Sequence, residues 1–317
     1  MKKLGYLFVT GFILIIMAAC GSTNDAENNT EDQDENEENS SVTIEHELGE
    51  TEVEKNPEKV VVFDFGTLDS LDELDVEVTG VPQNNIPSYL DQYEDDQYEN
   101  VGSLKEPDFE KIAEIDPDVI LISGRQSDLY EQLEELAPTI YLGVDTTRYM
   151  DSFEENAQKI GEIFDKETEV DTALDDIEEK VDGIQEDAEK SEKNALITLA
   201  NDDKISAYGP ESRFGLIHDV FGIPAVDEGI EVSTHGQNVS FEYVVEQDPD
   251  LLYVIDRSAA IGEGSAAEQV VENDLMEDTK AMKNDDIYYL DPDYWYLSGG
   301  GLQSVSEMID EVDSSLD

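Results

Sequence analysis

Phe109-Glu110-Lys111-Ile112-Ala113-Glu114-Ile115-Asp116-Pro117-Asp118-Val119-Ile120-Leu121-Ile122-Ser123-Gly124-Arg125 is matched, 132 positions later and without a gap, by Phe241-Glu242-Tyr243-Val244-Val245-Glu246-Gln247-Asp248-Pro249-Asp250-Leu251-Leu252-Tyr253-Val254-Ile255-Asp256-Arg257. The Phe, two Glu, Asp-Pro-Asp and the closing Arg all fall in register. Asp108 and Ser240 are suited to cap a helix start, and Glu110 and Glu242 fall in a first turn, where the helix dipole favours acid. Asp-Pro then ends the helix. The apolar run that follows predicts a strand buried on both faces, the habit of parallel sheets covered by helices. Each Arg falls just past the carboxyl end of its strand, where open α/β sheets place ligands. Two copies imply two similar lobes whose binding edges face one another.

Further apolar runs fit that plan. Val60 to Phe63, Glu77 to Val81 and Thr139 to Leu142 are strand candidates for the first lobe; Ala195 to Leu199 and Ile287 to Leu290 join Leu251 to Ile255 in the second. Ser152 to Glu192 is polar, with Ile160, Ile163, Phe164, Val170, Leu174, Ile177, Val181 and Ile184 at helical spacing, so its later part reads as one long helix spanning both lobes. The predicted class is α/β: two similar lobes with central, mostly parallel sheets, joined by one long helix. Its boundaries are residues 43–165, 166–192 and 193–317.

The 317 residues carry 80 Asp and Glu against 18 Lys and Arg, a formal charge of −62. So acidic a surface excludes nucleic acid as a partner and is suited to high salt, where screening makes dense like charge tolerable. The acid does not imply disorder, because 14 Tyr, 10 Phe and the apolar runs beyond position 60 supply a core. Gly21 to Ser41 is different: eight acids, no base and almost nothing apolar predict an extended tether, taken as residues 20–42. Before it, Lys2 and Lys3 precede the apolar run Leu4 to Ala19, which ends in Met17-Ala18-Ala19-Cys20. Residues 1–19 read as an export signal rather than a membrane span, which needs about 20 apolar residues.

Cys20 is the only cysteine, so disulfides, iron–sulfur clusters and Cys-based zinc sites are excluded. No Gly-x-Ser-x-Gly elbow, Gly-Lys-Ser/Thr phosphate loop, His-Glu-x-x-His helix or calcium loop occurs. The expectation is a protein that is not an enzyme and has no intrinsic cofactor.

The bases comprise 14 Lys and only four Arg: Arg125, Arg148, Arg213 and Arg257. Two close the duplicated strands, and Arg213 lies in the Gly/Pro loop Tyr208-Gly209-Pro210-Glu211-Ser212-Arg213-Phe214-Gly215. Arg offers five donors in a rigid fork and stays charged when desolvated, which suits a polydentate anionic oxygen ligand. The alternative is that each Arg anchors a buried carboxylate such as Asp256. Of the three histidines, His46 is expected in the exposed N-terminal region and His218 in helix packing, whereas His235 lies in a glycine-bounded turn. Trp295 is expected to pack, and Gly299 to Gly301 to start a helix.

Gly124-Arg125-Gln126, Ser212 to Val220, Thr234-His235-Gly236, Val254-Ile255-Asp256-Arg257 and Leu290-Asp291-Pro292-Asp293-Tyr294-Trp295-Tyr296-Leu297 resemble the catecholate-siderophore-binding lipoproteins of iron ABC importers, the enterobactin- and petrobactin-type binders. The similarity covers nearly all of residues 43 to 317. It implies the class III substrate-binding-protein fold, with limited closure on binding. The implied function is capture of a ferric catecholate siderophore and its delivery to a FecCD-type ABC permease. The implied ligand-binding residues are Arg125, Arg213, Arg257, His235 and Tyr296, with Tyr294 as the competing tyrosine. His235 and Tyr296 contact iron directly only if the siderophore is tetradentate and leaves two positions open. By the same resemblance Cys20 is the lipidated residue, placing the protein on the extracytoplasmic face of the cell membrane. Glu110 and Glu242, with Glu106 as a further candidate, would meet basic residues of the permease; for Glu110 and Glu242, ordinary helix-start acid is an equal alternative. Haem, cobalamin or a hydroxamate siderophore are alternative ligands, and a non-catalytic acidic cell-surface interaction module is the alternative of another class.

Overall fold

A computed structural model describes residues 40–202, 204–262 and 264–316. The leader, Cys20 and the tether as far as residue 39 lie outside the described residues. A hairpin comes first, β1 (Ser41–His46) and β2 (Gly49–Glu54). Ser41 and Val42 already pair with Glu54 and Val53, so the folded body starts two residues before the boundary set at 43.

The first lobe holds strands β3 (Val60–Val62), β4 (Gly80–Val81), β5 (Glu99–Asn100), β6 (Val119–Ile122) and β7 (Thr139–Tyr141). Its helices are α1 (Phe65–Glu73), α2 (Phe109–Ile115), α3 (Tyr130–Glu134) and α4 (Tyr149–Phe164). Beyond the next helix, α5 (Glu167–Ser191), come β8 (Ala195–Asn201), β9 (Lys204–Tyr208), α6 (Leu216–Asp219), β10 (Gln237–Val239), α7 (Phe241–Gln247) and β11 (Leu251–Asp256). The chain closes with α8 (Arg257–Ile261), α9 (Ala267–Val271), α10 (Lys280–Asn284), β12 (Ile287–Leu290) and α11 (Leu302–Asp313).

The strand orders are β5-β4-β3-β6-β7 and β10-β9-β8-β11-β12. The duplicated strands β6 and β11 therefore occupy the same, fourth place in two five-stranded sheets. Every residue of β6 is buried, as are the first five of β11, as expected of strands covered on both faces. The helices before them end alike: Asp116 and Asp248 turn left-handed at φ 54° and 47°, and their N–H groups return to Ile112 and Val244, each a buried helix residue. The first sheet is parallel throughout, but the second is mixed, because β8 and β9 form an antiparallel hairpin to which β10 adds antiparallel. The strand expected over residues 77–81 shortens to Gly80–Val81.

Asp165, at φ 51°, breaks the polar helical stretch into α4 and the 25-residue α5. Its carboxylate holds Lys55 Nζ and Asn56 Nδ2, each at 2.6 Å. α5 buries Val170, Ile177, Val181 and Ile184, the stripe expected from spacing. Glu167 and Glu169 in its first turn and Lys190 in its last complement the helix dipole. The described chain thus has two α/β lobes joined by one long helix. α11 follows the second sheet in the chain but packs against both α5 and α1. No helix among the described residues is long and apolar enough to cross a membrane.

His46 departs from the exposed position expected of it. It is half-buried, with Nε2 3.0 Å from Thr51 Oγ1 and its ring edge on Tyr130. Thr51 in turn donates to the Thr139 carbonyl, fastening the hairpin to the edge strand β7.

Candidate ligand-binding cleft

Three backbone features bring the arginines together. Arg125 follows β6 and Arg257 opens α8 directly after β11, so the equivalent strands aim both at the space between the lobes. Arg213 arrives on the turn between β9 and α6. All three meet on Tyr296, which lies in a π-helical turn, Asp293–Ser298, between β12 and α11. Arg125 and Arg213 donate to the Tyr296 carbonyl at 3.1 and 2.5 Å, and Arg257 Nε donates to its hydroxyl at 3.1 Å. The Arg213 guanidinium carbon also lies 4.5 Å from the centre of the Tyr296 ring and 5.1 Å from that of Phe214.

Anchoring of buried carboxylates does not explain these arginines. Asp256 caps α8 through the Ala259 N–H at 3.0 Å and takes the Ala267 N–H at 2.7 Å, while Arg257 turns instead to Asn201 Oδ1 at 2.9 Å. Arg125 makes a long ion pair with the largely buried Asp64 at 3.9 Å but no hydrogen bond to it, and donates instead to Tyr296. Arg148, by contrast, binds Glu155 at 2.6 Å and stands apart from the cluster as a surface ion pair.

The electrostatics follow from this crowding. Burial, then the nearby charge of Arg125, lowers the pKa of Arg213. Burial alone would raise the Tyr296 phenol, but the hydrogen bond and charge of Arg257, joined by Arg213, outweigh it and hold the phenol below its ordinary value. Tyr296 is therefore the tyrosine in the site most easily turned into an anionic oxygen donor.

A cleft of ≈270 Å³ opens beside this cluster. Asn84, Asn85, Ser103, Leu104 and Lys105 form its first-lobe wall with Arg125; Arg257, Ile261, Tyr296 and Leu297 form the other. Arg213 is not in the lining because the Tyr296 ring lies over it. Sequence reasoning missed Lys105 and the two asparagines. Lys105 lines the cleft without an ion pair among the described residues, but acid surrounds it in the chain and no local pattern marks it.

Tyr294 takes a different direction. Its ring packs on Tyr89 at 4.7 Å, and burial together with Glu307, Asp291, Asp293 and Asp69 pushes its phenol up to about 12. His235 is exposed in the turn before β10, whose Gly236, at φ 70°, abuts the Tyr208 ring. His218 packs, with Nδ1 2.8 Å from the Ile223 carbonyl. Trp295 is buried and donates to Glu311 at 2.8 Å. Glu110 and Glu242 are exposed in the first turns of α2 and α7, and Glu106 is exposed just before α2. No group of three or more His, Cys, Asp or Glu side chains that could hold a metal occurs among the described residues.

Known proteins share this fold. The chain is 50% identical to the petrobactin-binding protein YclQ of Bacillus subtilis over the full length of both. The crystal structure of that protein superposes with a TM-score of 0.86 at 54% identity, covering 88% of this chain and 99% of the other. The catecholate-siderophore binding protein VctP of Vibrio cholerae follows at a TM-score of 0.82 and 32% identity, over 87% of this chain and all of the other. The ferric-anguibactin-binding protein FatB of Vibrio anguillarum is 34% identical over 86% of each chain. The family model for periplasmic binding proteins matches residues 60–294. Its two lobes and single long connecting helix give it the class III form of that fold, and the chain belongs to the periplasmic binding protein family.

Proposed function

We propose that this protein captures a ferric catecholate siderophore in the arginine cleft and presents it to an ABC permease for iron uptake, without catalysing a reaction. One observation carries the reading. In a chain with 80 acidic residues, Arg125, Arg213, Arg257 and Lys105 gather at one cleft, and among the described residues none is hydrogen-bonded to a carboxylate. Such a cluster needs an anionic partner from outside. A ferric tris-catecholate is a compact trianion whose oxygens match guanidinium forks, each charge-assisted bond contributing about 1.5–3 kcal/mol. Relatives named for petrobactin, for a catecholate siderophore and for ferric anguibactin support the same ligand class.

The Tyr296 carbonyl and ring occupy the arginines. Ligand oxygens would take the place of that carbonyl, and Tyr296 would swing off Arg213. If the siderophore is tetradentate, the Tyr296 phenolate, favoured by Arg257, and the neutral imidazole of the exposed His235 fill the two open iron positions. Tyr294, engaged with Tyr89, is the weaker candidate. The reading also takes Cys20 as the lipid anchor and the acidic stretch from there to the start of β1 at Ser41 as a tether holding the two lobes off the membrane. Glu110, Glu242 and Glu106 lie exposed where a basic permease surface could meet them.

Fluorescence titration with ferric catecholate, ferric hydroxamate and haem complexes tests the ligand class. Ferric catecholates are expected to quench Trp295 and tyrosine emission at the lowest concentrations, with no turnover. Quenching by hydroxamate or haem complexes without quenching by catecholates would overturn the assignment.

A further inference from the structure

Gln126, the residue after Arg125, does not line the cleft, yet it joins two parts of the cleft wall. It is fully buried. Its side-chain oxygen accepts the Ser123 N–H at 3.1 Å, and its backbone N–H donates to the Ser123 carbonyl at 3.1 Å. The turn that carries Gly124 and Arg125 at its tip is thereby closed twice. The other end of the amide, Nε2, donates to the Leu104 carbonyl at 2.5 Å. Lys105 follows Leu104 and is the second cation of the first-lobe wall.

The sheet alone does not bring these loops together, because β4 and β3 stand between β5 and β6. The segment after β5 is a tight turn. Gly102 bridges Pro107, the Ser103 N–H reaches the Glu106 carbonyl at 3.1 Å, and Ser103 Oγ accepts the Lys105 and Glu106 N–H groups at 3.4 and 3.0 Å. The Gln126 amide fastens that turn to the end of β6. The second lobe repeats the device. The residue matching Gln126, 132 positions later, is Ser258, which is also buried. Its hydroxyl accepts the Asp202 N–H at 3.3 Å, next to Asn201, whose side-chain oxygen takes the Arg257 guanidinium at 2.9 Å. In each copy a buried polar side chain directly after the arginine ties the strand end to a neighbouring loop.

We propose that Gln126 is a positioning residue for ligand capture: it fixes the separation of Arg125 and Lys105, so that the first-lobe wall meets an anionic ligand with both cations already in place. The inference rests on the reading of the arginine cleft as the ligand site. Two cations on one wall repel each other, and a loop carrying a lysine costs conformational entropy to order. A tie that orders the loop in advance removes that cost from binding. An amide suits the task because it gives Ser123 an acceptor and Leu104 a donor. A carboxylate in its place would offer no donor when ionised, and its charge would offset that of Arg125.

A double-mutant cycle in the full chain tests this, read by fluorescence titration with the ferric complex of a hexadentate tris-catechol chelator. Gln126→Met keeps the length of the side chain and removes the amide. It is expected to weaken Kd about tenfold in the wild-type background and about threefold or less in Lys105→Met, where the displaced cation is gone. A residue that only stabilised the fold would cost the same in both. Equal losses in the two backgrounds, or no loss in either, overturn the proposal. Arg125→Met separates it from the wider reading. If that variant binds weakly while the Gln126 losses are equal, the cleft assignment stands and the positioning role falls; if it binds as tightly as wild type, both fall. Should Gln126→Met fail to fold, Gln126→Ala, which leaves space for water at Ser123 and Leu104, enters the same cycle under the same criteria.

Discussion

Replacing Arg213 by Met separates two effects that usually run together. Its guanidinium is desolvated, has Arg125 as a neighbour, and shares one carbonyl with it. Met keeps much of the apolar contact with Tyr296 and Phe214 while removing the charge. The Tyr296 carbonyl retains Arg125, so no buried acceptor is orphaned. Stability should therefore hold or rise, by up to about 1 kcal/mol, or about 2 °C in Tm for a body of this size. Binding should move the other way. Loss of one charge-assisted contact to a catecholate oxygen, about 1.5–3 kcal/mol, weakens Kd by roughly 10- to 150-fold. Thermal melts of the free protein and fluorescence titration of the same preparation supply both numbers. A variant that melts several degrees lower yet binds as tightly as wild type would refute the reasoning, because Arg213 would then be structural.

Three other outcomes are expected. Burial pushes the Asp69 carboxyl up to about 7 from an ordinary 3.8, so its stabilising contribution is complete below about pH 4, falls away between 4 and 7 and is gone above that; melts of Asp69→Asn should lack that decline, and an identical decline would count against it. At a formal charge of −62 the body repels an anionic ligand, so stopped-flow association should quicken as salt rises from low levels; slowing would show that the local cationic field dominates even at range. Exchanging Glu110 and Glu242 for Lys should lower siderophore uptake by cells while leaving Kd unchanged, whereas normal uptake would remove both from the permease contact.

What could be read from the chain was what local pattern or duplication encodes. The repeat ending at Arg125 and Arg257 placed β6 and β11 in equivalent positions, and the apolar spacing of Val170 to Ile184 marked α5. Convergence of the arginines followed from their strand-end positions. Other features depend on contacts that no local pattern records. The β1–β2 hairpin alternates acid with single apolar residues such as Ile44 and Val53, which resembles the tether before it. β9 and β10 take their direction from a hairpin and from a distant edge, so the second sheet became mixed. Tyr294 and Tyr296 sit two residues apart in a π-helical turn, where only the observed fold separates the Tyr89 side from the arginine side. Lys105, Asn84 and Asn85 reach the cleft on loops, and Asp69 meets Ser304 across 235 residues.

The central claim, that cations from both lobes converge on one anionic ligand, is tested most directly by a crystal structure with a gallium(III) catecholate siderophore. The account predicts Arg125, Arg213 and Arg257 within about 3.2 Å of ligand oxygens and the Tyr296 carbonyl released. A ligand bound elsewhere, with the arginines still on Tyr296, would contradict it.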